Sequence, residues 1–554
     1  MIEHFPIFLL LTPLISALVI AFSSLILKTE RIQKIIAFVG VSLPFFYLIL
    51  LFQELSKGVI EYDVGGWAKP YAITLVVDEL AFTFVCITSI LTFLSFIYSF
   101  KYIEGKDRKF YFFFLLMTTG LYGIFLTNDI FNLYVFFELT VISSYILITF
   151  GDKKASLIAS FKYLIMGNIA SLFFLLGIGL LYIKTGLLNI EYLSMHIHEI
   201  DTQTQIVIFS LFLGAFGIKA AIIPFHAWLV SAHSTAPSPI SAVLSGITVK
   251  TGVYIFIRIF ALGFTLQNLN EIMIVFGAIT ALGGVIGALV EWDIKRLLAY
   301  HTISQIGFII VGIGTFSSIG VAGGIYHIVN HAVFKGLLFL CAGAIIYRSG
   351  TKDIREHGIG KTMPITLITY IIAALAISGI TPFNGSVSKS MIESSVYNYP
   401  IIWLILVFAS IGTVAHFSKI LYYSFMKSPK KYKETTKYQE VPFSMQLSMI
   451  VLAFLCILLG VIPNLLLNNL ILPATASIVG GYSTIQIKFL DPFLIFKEWI
   501  IVALGLLLLK LIIVRSKDID RLRKLISKFN LNICVFLMII TLVLVLVILK
   551  VFNT

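Results

Sequence analysis

Long apolar segments recur along almost the whole chain of 554 residues. Most are about 20 residues long, the length of α-helix that crosses roughly 30 Å of hydrocarbon at 1.5 Å per residue. Short polar or proline-containing segments separate them. The pattern predicts an all-α polytopic membrane protein with 14 to 16 transmembrane helices, near residues 5–27, 32–53, 74–99, 110–126, 130–150, 157–183, 206–227, 237–261, 271–290, 296–314, 318–346, 365–395, 400–425, 443–465, 493–514 and 532–551.

The composition supports this class. Hydrophobic residues make up 59% of the chain and charged residues only 12%, which excludes a water-soluble globular protein. Glu3 and His4 are the polar residues before the first apolar segment, and no lysine or arginine precedes it. A secretory signal peptide would have a basic region there, so we expect this segment to be a retained helix.

The net charge of +13 and the four cysteines do not indicate a further ligand. The basic residues are dispersed over loops, without the aromatic and basic patch that binds nucleic acid. Each cysteine lies alone in a separate apolar segment, so the spacing of a zinc or iron–sulfur site is missing. We therefore expect no metal, no cofactor and no nucleic-acid partner.

The loops that carry most lysine and arginine follow odd-numbered helices. They lie at 28–34, 101–109, 153–154, 295–296, 348–361, 427–437 and 515–528. Basic loops stay on the cytoplasmic side of a membrane, so both chain termini are predicted to lie outside. The charged, amphipathic segment 516–530 is predicted to lie on the inner membrane surface.

Two predicted spans contain glycine, proline and one lysine, at 214–224 and 378–389. They are five helices apart, so corresponding units would have opposite orientations in the membrane. This predicts two inverted five-helix repeats, 110–261 and 271–425, each with a broken helix. Residues 1–109 would form N-terminal helices and residues 426–554 C-terminal helices. Unwound backbone at mid-depth supplies the polar groups of an ion site.

Glu138 and Lys219 lie deep within predicted spans. A charged side chain at the centre of a bilayer costs roughly 2.5–3.5 kcal/mol on insertion scales, so such residues usually serve a function. An ion pair at 4 Å is worth about 4 kcal/mol at an effective dielectric constant of 20. We therefore predict that the two residues form a pair, and that separating them favours release of the lysine proton.

Lys250 lies in the middle of the next predicted span, and Lys389 lies in the second broken helix. Lys250 is predicted to accept the proton that leaves Lys219. Lys389 is predicted to be the last site of the path, opening to the far side of the membrane.

His327, His331 and Lys335 are spaced four residues apart in one apolar span. This spacing places all three on the same face of a helix. Three ionisable groups on one face predict a proton relay, because a single buried histidine is more often only a packing residue. His301 on the preceding span is a further candidate member.

Several other polar residues are interpreted less specifically. His226, Trp228 and His233 flank the first broken helix and are predicted to lie near the outer surface, either as anchors or packing residues or as transfer groups. The acidic residues near the ends of spans are predicted to be interfacial: Asp129, Glu291, Asp293 and Glu393.

The chain resembles the antiporter-like membrane subunits shared by Mrp-type cation/proton antiporters, respiratory complex I and membrane-bound hydrogenases. The resemblance covers about residues 60 to 425 and is closest to the D-type Mrp subunit and its hydrogenase counterpart. The matching stretches are Val64-Gly65-Gly66-Trp67, Val77-Asp78, Phe137-Glu138, Lys219, residues 223–229 (Ile-Pro-Phe-His-Ala-Trp-Leu), residues 232–239 (Ala-His-Ser-Thr-Ala-Pro-Ser-Pro), residues 295–305 (Lys-Arg-Leu-Leu-Ala-Tyr-His-Thr-Ile-Ser-Gln) and residues 327–335.

The resemblance implies an inverted-repeat core with a glutamate–lysine pair, a bridging lysine, a histidine-containing second half and an exit residue. By motif these roles fall on Glu138 with Lys219, on Lys250, on His327 with His331 and Lys335, and on Lys389. The two spans beyond residue 490 exceed the fourteen-helix D-type core. They resemble the longer L-type subunits, although no long lateral helix is evident.

The function predicted from these residues is proton translocation by one membrane subunit of a multisubunit Mrp-type Na⁺/H⁺ antiporter. Sodium requires a cage of oxygen ligands, and the sequence shows few clustered intramembrane carboxylates, so a Na⁺ step is assigned to a partner subunit. One alternative is a proton-pumping subunit of a complex I-like or hydrogenase-type redox complex, in which the enzyme activity belongs to other subunits. Another is an alternating-access carrier of organic solutes.

Overall fold

The structure, a computed structural model, describes residues 2–26, 30–103, 107–151, 153–260, 262–264, 266–359, 362–427, 439–481, 491–526 and 531–553. It is a helical bundle, which confirms the predicted class. The α-helices of two turns or more are Phe5–Ile26, Glu30–Leu55, Glu79–Tyr102, Asp107–Leu126, Ile130–Ile148, Lys153–Thr185, Ile190–His196, Thr202–Lys219, Ala227–Thr235, Lys250–Phe260, Leu269–Leu289, Ile294–Gly314, Ser318–Ser349, Pro364–Ser378, Asn384–Ser395, Pro400–Leu421, Phe443–Val461, Leu472–Val479, Pro492–Val514, Ser516–Ile526 and Leu531–Asn553.

Fourteen helices of the described part of the chain are long and apolar enough to cross a membrane. Pro492–Val514 is a further span that is bent by 84° from the helix that follows it. Every predicted span overlaps one of these helices or the second broken helix. The predicted range of 14 to 16 helices therefore agrees with the structure.

The predicted span 74–99 begins too early. Residues Thr74–Val77 form a β-strand that pairs antiparallel with Ile60–Asp63. Gly65 and Gly66, in the turn after the first strand, have φ values of 75° and 71°, which glycine adopts without strain. The helix starts only at Glu79, because the Asp78 side chain accepts a hydrogen bond from Ala81 N at 2.7 Å and caps it.

Other aspartates also begin helices. Asp129 accepts a hydrogen bond from Asn132 N at 2.6 Å, and Asp293 accepts hydrogen bonds from Lys295 N and Arg296 N at 2.9 Å. Each bond satisfies a backbone N–H group that has no partner within its own helix. These two predicted interfacial residues therefore serve as helix caps.

The first interruption follows Lys219. The helix Thr202–Lys219 ends there, and the next helix begins at Ala227, so the predicted span 206–227 is shorter than expected. Ile223 N donates to Thr280 Oγ1 at 3.1 Å, and Trp228 Nε1 donates to Ile218 O at 2.7 Å. Side chains thus satisfy backbone groups that the break exposes.

The second interruption lies between Pro364–Ser378 and Asn384–Ser395, as predicted. Thr381 N donates to Glu498 Oε2 at 2.9 Å, and Asn330 Nδ2 donates to Asn384 O at 2.9 Å. The assignment of the two breaks to inverted repeats stays a prediction, as do the boundaries of those repeats.

The C-terminal part differs from the prediction at one place. The helix Phe443–Val461 ends four residues before the predicted limit of 465, and a further apolar helical segment runs over Asn464–Val479. Ser516–Ile526 is the predicted amphipathic helix. Residues 527–530 lie outside the described part of the chain.

Residues in or beside the basic loops 101–109, 153–154, 295–296, 348–361 and 515–528 share one end of the bundle. Asp293 pairs with Asp353 through a backbone bridge, and Arg355 Nη1 lies 3.9 Å from Asp520 Oδ1. The opposite end carries ion pairs formed by Lys69, Glu191, Lys184 and Asp201. This separation of basic loops and ion pairs between the two ends agrees with the predicted topology. Outside the described part of the chain lie the basic residues Lys28, Lys106, Lys361, Lys430, Lys431, Lys433, Lys437 and Lys528.

Candidate functional site

Lys219 does not form the predicted direct contact with Glu138. Its Nζ lies 4.4 Å from the centre of the Phe137 ring and has no hydrogen-bond partner among the described residues. Lys219 is 3% exposed, whereas Glu138 is only half-buried. Successive helical residues point about 100° apart, so the ring of Phe137 faces the ammonium while the next side chain turns away. Glu138 nevertheless acts on Lys219 electrostatically.

Lys250 follows a local change of helix type. Residues Leu244–Thr248 form one π-helical turn within the buried span Ser238–Phe260. Lys250 Nζ donates a hydrogen bond of 2.5 Å to Ser245 O. Single π turns inside α-helices are frequent at functional sites. Here the turn places the carbonyl of Ser245 within reach of the buried ammonium.

Lys250 lies between the helices that carry the other candidates. A Cβ atom on Gly252 would lie 2.7 Å from Ala220 N, next to Lys219. A Cβ atom on Gly246 would lie 3.5 Å from Ala332 O, next to His331. These glycines permit close helix packing. The helix of Lys250 is therefore placed between the first broken helix and the histidine-containing helix, and the role of Lys250 as proton acceptor stays a prediction.

The predicted face with His327, His331 and Lys335 exists. All three residues are fully buried, and the two imidazole rings are 6.3 Å apart. Both ring nitrogens of His331 lack a hydrogen-bond partner among the described residues, and so does the Nζ of Lys335. Lys335 Nζ lies 5.9 Å from the ring centres of Phe339 and Phe417. The charges of Lys250 and Lys335 both act on His331.

His327 contacts the second broken helix. Its Nδ1 lies 2.8 Å from Ser388 Oγ, and its Nε2 lies 3.0 Å from Gln305 Oε1. Ser388 Oγ can donate or accept a hydrogen bond, so the contact with Nδ1 is compatible with either neutral tautomer of His327. Ser388 is one residue before Lys389, so the helix face with His327, His331 and Lys335, here called the relay face, lies next to the predicted exit residue.

His301 joins the cluster, together with a histidine that the sequence did not single out. His301 Nε2 lies 3.0 Å from Thr413 Oγ1, and its ring is 5.8 Å from that of His416. His416 is fully buried, and neither of its ring nitrogens has a partner among the described residues. In sequence His416 is a single histidine in an apolar span, and no spacing rule distinguishes it from a packing residue.

Lys389 is 4% exposed and lines a cavity at the second interruption. Its Nζ donates to Ile377 O at 2.8 Å. Glu393, predicted to be interfacial, is buried in the same cavity and forms an ion pair with Lys497. Glu498 also lines this cavity. The helix Pro492–Val514 covers Glu393 within the protein, and its predicted interfacial depth stays a prediction.

His226, Trp228 and His233 do not lie at the outer surface. Thr235 and Ala236, just beyond His233, line a cavity together with Phe150 and Lys352, which belong to the end with the basic loops. Trp228 and His233 are buried at 3% and 0% exposure. The predicted outer location is wrong because the chain continues toward the basic end after the break. For Trp228 and His233, burial excludes a role as surface anchor and leaves packing or proton transfer.

The arrangement is suited to moving protons between buried nitrogen bases. Lysine and histidine nitrogens can each bind and release a proton, and hydroxyls such as that of Ser388 can both donate and accept. Among the described residues, no group of three or more histidine, cysteine, aspartate or glutamate side chains is placed to hold a metal ion.

Known proteins share this sequence and fold. Residues 127–415 match the family model Proton_antipo_M, described as NADH:quinone oxidoreductase/Mrp antiporter, TM. The D-type subunit of the Na⁺/H⁺ antiporter of Alkalihalophilus pseudofirmus is 34% identical over 445 residues, which cover 77% of this chain and 88% of the relative. The putative antiporter subunit mnhD2 of Staphylococcus aureus is 32% identical over 476 residues, covering 84% and 95%.

Three solved structures have similar folds. A chain of the archaeal membrane-bound sulfane sulfur reductase has a TM-score of 0.80 at 28% identity, covering 86% of this chain and 97% of the other. A chain of the Mrp complex from Dietzia sp. also has a TM-score of 0.80, at 26% identity, covering 90% and 99%. A chain of respiratory complex I from Thermus thermophilus shares the fold with a TM-score of 0.75 at 22% identity, covering 87% and 100%.

The family match includes Glu138, Lys219, Lys250, the relay face and Lys389. It extends over more than half of the chain and agrees with the resemblance inferred from the motifs. The chain therefore belongs to the NADH:quinone oxidoreductase/Mrp antiporter transmembrane family.

Proposed function

We propose that this chain is a proton-translocating subunit of a multisubunit Mrp-type Na⁺/H⁺ antiporter in the plasma membrane of a prokaryote. The observation that carries the proposal is that Lys250, His331 and Lys335 are all fully buried, on two helices that pack closely where Gly246 approaches Ala332. Each charge there costs roughly 2.5–3.5 kcal/mol on insertion scales, so packing alone does not account for them.

The proposed path begins at Glu138 and Lys219, crosses Lys250, continues along His327, His331 and Lys335, and ends at Lys389. Protonated Lys219 is stabilised alternately by the face of Phe137 and by the charge of Glu138. When the ammonium is held by neither, desolvation favours transfer of its proton to the next base. Moving one charge across 100 mV costs about 2.3 kcal/mol, which is comparable to the energy of one such pairing.

Partner subunits complete the proposed function. The similar chains belong to an Mrp complex, a reductase and complex I. Glu138 is half-buried, so part of its surface faces away from this chain, toward a neighbouring subunit or lipid. The Na⁺ step is assigned to a partner subunit.

The test is proton flux in proteoliposomes that contain the complete complex. Lys219→Ala and Glu138→Ala should each reduce Na⁺-driven proton flux at least tenfold while the complex still assembles. Lys184→Ala is the matched control, because Lys184 is 46% exposed and pairs with Asp201 at the bundle surface. Normal flux in assembled Lys219→Ala complexes would refute the proposed path.

A second candidate is a proton-pumping subunit of a redox-driven complex. The observation that favours it is the similarity to the sulfane sulfur reductase chain, which has the same TM-score as the Mrp chain. Purification of the native complex distinguishes the two. Redox cofactors in the co-purified subunits would support the redox complex, and their absence from an active antiporter would support the Mrp-type assembly.

A further inference from the structure

The cavity around Lys389 contains charged residues from two separate parts of the chain. Lys389 and Glu393 belong to the second broken helix, and Lys497 and Glu498 belong to the helix Pro492–Val514. This helix follows the family match, which ends at residue 415. Close packing holds it in place, because Gly505 has no Cβ atom and allows its helix to approach Val414. The proposed proton path does not yet include these residues of the C-terminal helix.

Glu498 is 7% exposed and is held by groups without charge. Its carboxylate accepts hydrogen bonds from Thr381 N at 2.9 Å, from Thr381 Oγ1 at 3.1 Å and from Ser386 Oγ at 2.5 Å. The two hydroxyls can rotate and either donate or accept a hydrogen bond. They can therefore stabilise Glu498 in its ionised form and also when it carries a proton.

The cavity provides a polar route between Lys389 and Glu498. Both residues line it, and so does Ser410, whose Oγ is buried and has no hydrogen-bond partner among the described residues. A buried water molecule needs roughly 10–15 Å³ of free space for its centre. The cavity offers about 20 Å³ of such space, which is enough for one water molecule between polar side chains. This water would link Lys389 and Glu498 for proton transfer.

The charges around the cavity favour a proton over a sodium ion. Lys497 pairs with Glu393, which leaves Lys389 and Glu498 as the remaining positive and negative groups. The four formal charges cancel when all are ionised. The site therefore offers no net negative charge to a sodium ion, whereas a proton can pass from the ammonium to the carboxylate without adding charge.

We propose that Glu498 accepts the proton from Lys389 and releases it toward the end of the bundle at which Pro492–Val514 begins. In this step the Lys389 ammonium becomes an amine and the Glu498 carboxylate becomes a carboxylic acid, which then gives its proton to water. Glu498 is the seventh residue of its helix, about 10 Å from the helix start at 1.5 Å per residue. The inference rests on the proposed function, because it adds a terminal residue to that path.

The test compares Glu498→Gln and Glu498→Asp in the complete complex in proteoliposomes. The glutamine oxygen can still accept the hydrogen bond from Thr381 N, and its NH2 group can donate to the rotatable hydroxyl of Ser386, but the side chain cannot carry the proton. We expect Glu498→Gln to assemble normally and to lower proton flux at least tenfold. Glu498→Asp should retain at least a third of the flux, because it keeps the carboxylate.

Glu440→Gln is the matched control. Glu440 also accepts hydrogen bonds from two backbone nitrogens and one hydroxyl, namely Ile365 N, Thr366 N and Thr366 Oγ1. These donors lie at the start of the helix Pro364–Ser378, away from the cavity. The proton flux of the Glu440→Gln complex should equal that of the unmodified complex. Equal flux for Glu498→Gln would overturn the inference and leave Glu498 as a structural residue.

Lys219→Ala separates this inference from the proposed function. If Lys219→Ala abolishes flux and Glu498→Gln does not, only the role of Glu498 fails; if Lys219→Ala has no effect, the whole path fails. If Glu498→Gln does not assemble, pH-dependent infrared difference spectra of the unmodified complex decide the matter. A protonated carboxyl band that shifts in Glu498→Asp supports proton binding at Glu498, and the absence of such a band overturns it.

Discussion

The Lys219 ammonium lies 4.4 Å from the centre of the Phe137 ring. The aromatic residue and the adjacent Glu138 thus offer two different ways to stabilise the same buried cation. A cation above an aromatic face in a desolvated site gains about 2 kcal/mol. This arrangement explains how Lys219 remains in the bundle interior without a direct ion pair.

The first prediction concerns this ring. Phe137→Leu keeps an apolar side chain but removes the aromatic face, so the ammonium should pair more persistently with Glu138. We expect proton flux to fall about 10- to 30-fold, because about 2 kcal/mol of stabilisation is lost from the separated state. Proteoliposome flux measures this. Phe131→Leu, on the exposed face of the same helix, should have no effect, and equal flux for both variants would contradict the prediction.

The second prediction concerns the contact between His301 and Thr413. Thr413→Val preserves the shape of the side chain but removes the hydroxyl that lies 3.0 Å from His301 Nε2. Loss of a partner for a buried polar group costs about 1–3 kcal/mol, so flux should fall about tenfold if His301 belongs to the relay. Thr118→Val is the control, since Thr118 is buried and bonded only to Phe114 O. Unchanged flux would remove His301 from the path.

The third prediction concerns the second interruption. A Cβ atom on Gly385 would lie 1.8 Å from the carbonyl oxygen of Ala376, which cannot move without shifting the helix before the break. Gly385→Ala should therefore destabilise the subunit by about 1–3 kcal/mol or more. Thermal unfolding of the purified complex measures the change. Gly481→Ala has open space around it and should leave the unfolding temperature unchanged; a similar loss in both variants would refute the steric argument.

The fourth prediction concerns the amphipathic helix Ser516–Ile526. Trp292 Nε1 donates to Asp520 Oδ1 at 2.9 Å, and Trp292 is 1% exposed. Asp520→Ala leaves this indole N–H without its acceptor, at a cost of about 1–3 kcal/mol. We expect faster proteolysis within the amphipathic helix. Asp518→Ala, which affects only an exposed pair with Arg521, should be cleaved at the original rate.

Much of the fold follows from local sequence. Apolar segments of membrane length predict the helices, and glycine with proline inside a span predicts both interruptions. The four-residue spacing of His327, His331 and Lys335 predicts one helix face, because 3.6 residues make one turn. These features depend only on neighbours along the chain, so no tertiary information is required.

The remaining features depend on contacts between distant segments. Glu498 appears in sequence as an acid near the start of a span, and only the packing of its helix brings it to the Lys389 cavity. The side chain that faces Lys219 is set by helix rotation, which places Phe137 rather than Glu138 above the ammonium. The hairpin at Ile60–Asp63 was missed because the apolar strand Thr74–Val77 runs directly into a transmembrane helix.

The C-terminal helices also limit how this chain can move. Pro492–Val514 packs against Pro400–Leu421, while Leu531–Asn553 packs against Thr202–Lys219. The two C-terminal helices therefore each contact a region beside one of the broken helices. A carrier that exposes its site by rocking one of these regions against the other would have to move a C-terminal helix with it or break that helix's packing.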